Sequence, residues 1–475
     1  MDPSHITVRL RGARSCAQVL DLWRQHQPQF SAVQYAAALT TLSYLRPGQE
    51  EANRRRHRAV VVARAAARRR SQGLQNGFTS DEPLFASDSQ NSSEPGEVRH
   101  NMAQPAHSQP RRFRHSAPLH PPADPAEIAA GLAAIPMKDL QRFVGGAARM
   151  VRQGTARETA TIAYGLACLH QEGAPPLQRA CEAGLWAVGK CARARVGKMI
   201  GQGLANVVWA VATAQCNQPE TFAVYLDEIS RRPWDLSARD VAATLWAFTV
   251  ARANVAGLVD AVRPTVVRGA DEFNGLDLVQ VAWSCSTASV GQDLLDAVGA
   301  ALPARCEQLT PQGVAIGAWA FARGLVLDDR ALGALADRAV SLPAMKPRDS
   351  AQVLWALAVS ASRQPSPSSG SEAPPTGSGE ELGQGSTQAR VTLSASQRRT
   401  RAAGILQRRL AQQIDTMSSV DITAVLYAVR EGNFARAATM VAIAQRCKAG
   451  VGLMTAEDIS VALHSFAVVF PKWEA

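Results

Sequence analysis

One column of this sequence places flat aromatic rings at a nearly fixed interval: Trp209, Trp246, Trp283, Trp319 and Trp355, at steps of 37, 37, 36 and 36 residues. Regularly spaced indoles have two uses. They stack on nucleobases, or they fill the groove between packed helices, the commoner fate of aromatics at helical spacing. The residues three before and four after each ring vary while their surroundings stay fixed: Asn206 and Thr213, Ala243 and Val250, Gln280 and Thr287, Ile316 and Arg323, Gln352 and Val359, Ala424 and Glu431. Amides, hydroxyls and a guanidinium on a constant scaffold suit hydrogen bonding to base edges, one unit to one base. The bland alternative is a face that is exposed and unconstrained. Asn206, Thr213, Gln280, Thr287, Arg323 and Gln352 are therefore the candidates for contact with a ligand, and the rings are first of all structural.

Catalytic chemistry is not expected, nor is a cofactor. Gly184 to Cys191 (GLWAVGKC) nearly matches a phosphate-binding loop, but Cys191 stands where a Mg²⁺-binding hydroxyl belongs and no strand precedes it. The nine histidines form no HxxxH or HExxH pair, and the eight cysteines form no CxxC, so neither a metal site nor a Cys/His nucleophile is expected. Asn91-Ser92-Ser93 matches a glycosylation acceptor, a common chance match in Ser-rich sequence. Lack of a paired cysteine framework fits a reducing compartment, and no run of apolar residues is long enough for a membrane span.

The elements that position these residues repeat with them. Around each ring stands a short apolar element, such as LANVVWAVA or VAATLWAFT, and it returns with Tyr164, Tyr427 and His464 in the ring slot. Six positions before the slot stand Asp240, Asp277, Asp349, Asp421 and Asp458, with Gly203 and Gly313 in two other units; these read as N-caps of a helix. At 100° per residue, slots −5, −2, −1 and +2 make one apolar arc. Slots −4 and +3 are small (Ala205, Ala242, Ala315, Ala351; Ala212, Ser286, Ala322, Ala358), so a further helix can approach closely. A less regular helix precedes each, as in 219–229 or 330–340, and period-two strand signals are lacking. The fold class predicted is all-α: an α-solenoid of two-helix repeats of about 36–37 residues, with long disordered insertions.

Charge divides the 475 residues unevenly. The chain carries 51 Lys+Arg and 40 Asp+Glu, a formal +11. Residues 1–122 hold 17 arginines, no lysine and 9 acids, leaving only +3 for 123–475. Arginines cluster at 54–70 and 111–114 in a stretch whose Ser, Asn, Gln and Pro content cannot repay ordering entropy. The organisation expected is a first helical repeat at 1–45 with Ala38 near the ring slot, a disordered Arg-rich segment at 46–122 and a helical array at 123–363. A disordered linker insertion at 364–394 and C-terminal repeats at 395–475 follow. Both Arg clusters, together with Arg398, Arg399, Arg401, Arg408 and Arg409, are candidates to neutralise phosphates, or else simply solvate the chain.

The repeated Leu204-Ala205-Asn206-Val207-Val208-Trp209-Ala210 pattern resembles the octotricopeptide repeats of green-algal organelle proteins, akin to the helical repeats of FAST-kinase-like, RAP-domain proteins. The opening QVLDLWRQHQPQFSAVQYAAALTTLSYL resembles the start of such repeat regions. That resemblance implies a non-enzymatic protein of the chloroplast or mitochondrion. It would bind single-stranded RNA selectively and support transcript stability, processing, splicing or translation, alongside other organellar RNA-processing proteins. The chain is not expected to carry the RAP domain of many relatives, nor its nuclease-like activity. Arg9, Arg11 and Arg14 suit a transit peptide only weakly. The competing expectation is a HEAT- or armadillo-like scaffold for proteins, favoured by the nearly neutral repeat region.

Overall fold

A computed structural model of the protein describes residues 2–45, 131–216, 218–324, 329–363, 395–432 and 437–469. The segments expected to be disordered, 46–122 and 364–394, lie outside these residues, as do the Arg clusters at 54–70 and 111–114. The described residues are helical throughout, with no strand. The chain divides into two compact units, 1–140 and 141–475.

The first unit holds α1 (Pro3–Gly12), α2 (Cys16–His26), α3 (Ala32–Tyr44) and the first residues of α4 (Met137–Met150). Helix α1 was not foreseen; Asp2 caps it by accepting from the Ser4 N–H, and Pro3 stands at its first turn. Trp23 is fully buried and donates its indole N–H to Tyr35 at 3.0 Å, while the Tyr35 ring meets Phe30 edge-on. Arg24 binds Asp139 and Asp21.

The second unit is a two-layer stack. First helices are α4, α6 (Pro175–Arg193), α8 (Pro219–Arg231), α10 (Val255–Gly269), α12 (Gln292–Ala301), α14 (Asp329–Ser341), α16 (Ala395–Gln412) and α18 (Ala437–Gly450). Second helices are α5 (Ala156–Glu172), α7 (Gly201–Thr213), α9 (Ala238–Val250), α11 (Gly275–Ala288), α13 (Pro311–Arg323), α15 (Pro347–Arg363), α17 (Ser419–Gly432) and α19 (Ala456–Val469). Each second helix packs along the next second helix, from α5 to α19. The small columns permit it: Ala205, Ala242, Ala315, Ala351, Ala212, Ser286 and Ala322 are all buried. Ser286 also donates to the Ala320 carbonyl across one such contact, at 2.7 Å. The repeat length, the two-helix unit and the stacking order match the sequence expectation.

Two expectations about register are corrected. The acids six before the slot are not N-caps; they occupy the third helical position, and the cap three residues earlier is a hydroxyl before Asp240, Asp421 and Asp458 and the Asn274 amide before Asp277. Ser237 accepts from the Asp240 N–H, and the Asp240 carboxylate accepts in return from the Ser237 N–H and hydroxyl. Thr155 with Glu158, Ser418 with Asp421 and Thr455 with Asp458 repeat this capping box. A carboxylate at the third position can satisfy the cap residue's own N–H, which it could not do from the cap itself. Ser31 and Gln34 form the same box at α3, and nine residues beyond the cap, where every other second helix carries its ring, stands Thr40 rather than Ala38. Ala38 is fully buried.

Arginine joins successive repeats. Arg195 donates to the Arg152 carbonyl (2.8 Å), Arg232 to Met199 (2.6 Å), Arg305 to Asp271 (2.9 Å), Arg338 to Leu309 (3.2 Å), Arg409 to Val340 (2.9 Å) and Arg446 to Met417 (3.0 Å). Each reaches back to a turn at the end of the preceding repeat's first helix, where carbonyls lack helical partners. These turns touch closely enough to require glycine: a Cβ on Gly201 would lie 2.1 Å from the Asp235 carbonyl oxygen, and one on Gly275 2.7 Å from that of Arg305.

Candidate nucleic-acid interface

On each second helix the core arc and a second stripe lie on opposite sides. Slots −7, −3, 0 and +4 fall within about 60° of one another, facing away from the arc that packs on the first helices. The structure leaves this stripe partly exposed. Val207, Val208 and Val211 are fully buried, whereas Asn206, Trp209 and Thr213 are each part-exposed, and the same alternation holds at Trp246, Trp283, Trp319 and Trp355. The slot tryptophans are themselves mostly buried, and a minor part of each reaches solvent on this side of the second-helix layer. Tyr164 is part-exposed, Tyr427 is 50% exposed and His464 is exposed.

The rings are not equivalent. Tyr164 and Trp209 meet at 5.2 Å between centroids, tilted by 32°, so the first two rungs already cover each other. The Arg323 guanidinium lies 5.4 Å from the Trp319 ring centre, and its Nε donates to the Ser286 carbonyl. Arg430 lies 5.0 Å from Tyr427. Among the described residues, Trp246, Trp283 and Trp355 make neither kind of contact, and the Trp355 indole N–H and Thr213 hydroxyl are buried without a hydrogen-bond partner.

Of the residues expected to make contact, Asn206, Gln280 and Gln352 lie part-exposed beside the rings, and Thr287 and Arg323 are exposed at the far end of the stripe. Arg398 and Arg399 do not join them. They belong to a first helix, where Arg398 pairs with Asp337 at 3.2 Å and Arg399, 5% exposed, donates to the Ser360 hydroxyl. Slot −7 was missed in the sequence, although one more turn of the same helical arithmetic reaches it. It exposes Arg157, Gln202, Arg239, Leu276, Gln312 and Arg348 along the edge of the stripe. Arg348 has Asp349 within 3.6 Å; Arg157 and Arg239 form no ion pair among the described residues.

Burial shapes the acids beside this edge. Asp277, 6% exposed, is pushed up to about 6 chiefly by burial, with Asp240 adding to the rise and Arg239 opposing it. Asp349 is raised for the same first reason. A carboxyl whose folded value lies above its unfolded one stabilises the fold below the unfolded value, and that contribution is lost as pH rises through the folded value. Asp277→Asn is therefore expected to raise the melting temperature near neutral pH. The shift of about two units bounds the gain at roughly 3 kcal/mol, and the gain should fade as pH drops toward about 4. Melting curves of both proteins across that range check it; a gain that persists unchanged at low pH would contradict it.

Groups of His, Cys, Asp or Glu able to hold a metal ion are lacking among the described residues. Likewise, none of the described helices is long and apolar enough to cross a membrane. No protein-family model matches the chain, and no curated protein matches its sequence.

Proposed function

We propose that this chain is a non-enzymatic binder of single-stranded RNA, of the octotricopeptide kind, acting in a chloroplast or mitochondrion on transcript stability, processing, splicing or translation. The observation that carries the reading is the partly exposed aromatic stripe with arginine along its edge. Single-strand binders combine ring faces for bases with cations that follow the backbone, and Trp246, Trp283 and Trp355 with Arg157, Arg239 and Arg348 supply both. Arginines that join repeats are already bonded to carbonyls, so the cationic part of the stripe is small and the salt dependence of binding should be modest. Asn206, Gln280 and Gln352, with Thr287 and Arg323, are the groups in reach of base edges, whereas the Thr213 hydroxyl is buried.

Crosslinking in the native organelle fraction followed by sequencing of bound RNA tests the reading: a small set of enriched transcripts is expected, and recovery of none would sink it. Within that set, replacing Gln280 and Gln352 together by Ala should weaken the preferred target about tenfold, since each good side chain to base pairing discriminates by 1–3 kcal/mol in general. Binding to unrelated RNA should change little; equal losses on all RNAs would argue against readout by these amides. The rival scaffold reading draws on the near neutrality of residues 123–475. It would be favoured by co-purification of one protein with no crosslinked RNA.

A further inference from the structure

We infer that the stripe has a side pocket for one unstacked purine base, formed between the repeats of Trp209 and Trp246; this rests on the RNA-binding reading above. A cleft of about 620 Å³ opens where the turns leaving α7 and α9 lie side by side. That volume falls within the range typical of small-ligand sites. Its wall is apolar: Ala223, Leu226 and Ala253 line it, backed by Phe222 and Phe248, which are buried and packed edge to face at 5.1 Å. Its rim is polar. Gln215 and Arg252 occupy equivalent positions, six beyond Trp209 and Trp246, and both line the cleft.

The left-handed backbone of Gln215 and Arg252, φ 51° and 52°, is the turn that ends these helices, since Ser289 repeats it six beyond Trp283 at φ 56°. Both side chains are exposed, and neither has a hydrogen bond or ion pair among the described residues. The cleft is also continuous with the stripe, because Val250 belongs to both; it lies one helical turn, about 6 Å, beyond Trp246. A strand lying over Trp209 and Trp246 thus passes the mouth of the cleft. A base turned out of that strand meets an apolar wall and, at the rim, a guanidinium and an amide. A guanidinium suits the paired acceptors of a guanine edge and an amide the donor and acceptor of adenine, which makes the occupant a purine, guanine first.

The test compares an oligouridylate of about twelve nucleotides with the same oligomer carrying one central guanine. The wild type should bind the guanine oligomer about tenfold more tightly, the discrimination one bidentate contact gives. Arg252→Ala with Gln215→Ala should remove that difference and leave oligouridylate affinity unchanged, with the melting transition intact. If oligouridylate binds and the guanine preference is absent, or survives the double change, the pocket is refuted while the RNA reading stands. Should neither oligomer bind, both fail together.

Discussion

Replacing Trp246, Trp283 and Trp355 together by Leu should lower affinity for single-stranded RNA by at least about a hundredfold while leaving the helical content intact. Stacking on an aromatic ring contributes about 1–3 kcal/mol per base, and these are the rungs whose faces are covered neither by another ring nor by a guanidinium. Leucine keeps the packed half of each site filled, so lost binding is separable from lost structure. The corresponding change at Trp209 should cost less, because Tyr164 already lies against that ring at 5.2 Å. Arg323→Ala combines two opposing effects: it uncovers Trp319 and removes one cation, so the net change should be small at high salt and a modest loss at low salt. Fluorescence anisotropy of a labelled oligomer, read beside circular dichroism, distinguishes these outcomes. Equal losses at Trp209 and Trp283 would mean that exposure of the rings does not govern binding.

The repeat itself was legible because its period is set by packing: second helices that must lie close to both neighbours admit only small residues at slots −4 and +3, and that restriction recurs in the sequence. Which side of the helix the rings stand on is legible from the angle. The apolar arc at slots −5, −2, −1 and +2 is centred about 150° from the slot, so a ring at slot 0 points away from the core. The caps were placed three residues late because Asp is a good cap in general, and only the partner hydroxyls at Ser237, Ser418 and Thr455 show that it acts from the third position here. The roles of Arg195, Arg232 and Arg305 were not legible. Their partners are backbone carbonyls of the preceding repeat, and no side-chain pattern records a carbonyl. For the same reason Arg398 and Arg399 looked available for phosphate until their helix was placed.

Arg232→Ala is expected to be the most damaging of the single changes at these junctions, by about 2–4 kcal/mol, since removing one partner of a largely buried ion pair leaves the other charge without compensation. The Arg232 guanidinium donates to Glu228 at 2.7 Å, to Asp235 at 2.8 Å and to the carbonyls of Met199 and Val196. Glu228 is itself buried, so its carboxylate would keep only Arg231, at 3.3 Å and mostly exposed. Adding Glu228→Gln to Arg232→Ala should therefore recover part of the loss, which a purely steric role for Arg232 would not allow. Because each repeat contacts only its neighbours, the damage should stay local. Hydrogen exchange should quicken across α7, α8 and the turn before α9, with α13 to α19 little changed. A uniform acceleration along the whole second unit would show instead that it unfolds as one cooperative block, and the bonds at Arg195, Arg305, Arg338, Arg409 and Arg446 would then be coupled rather than independent.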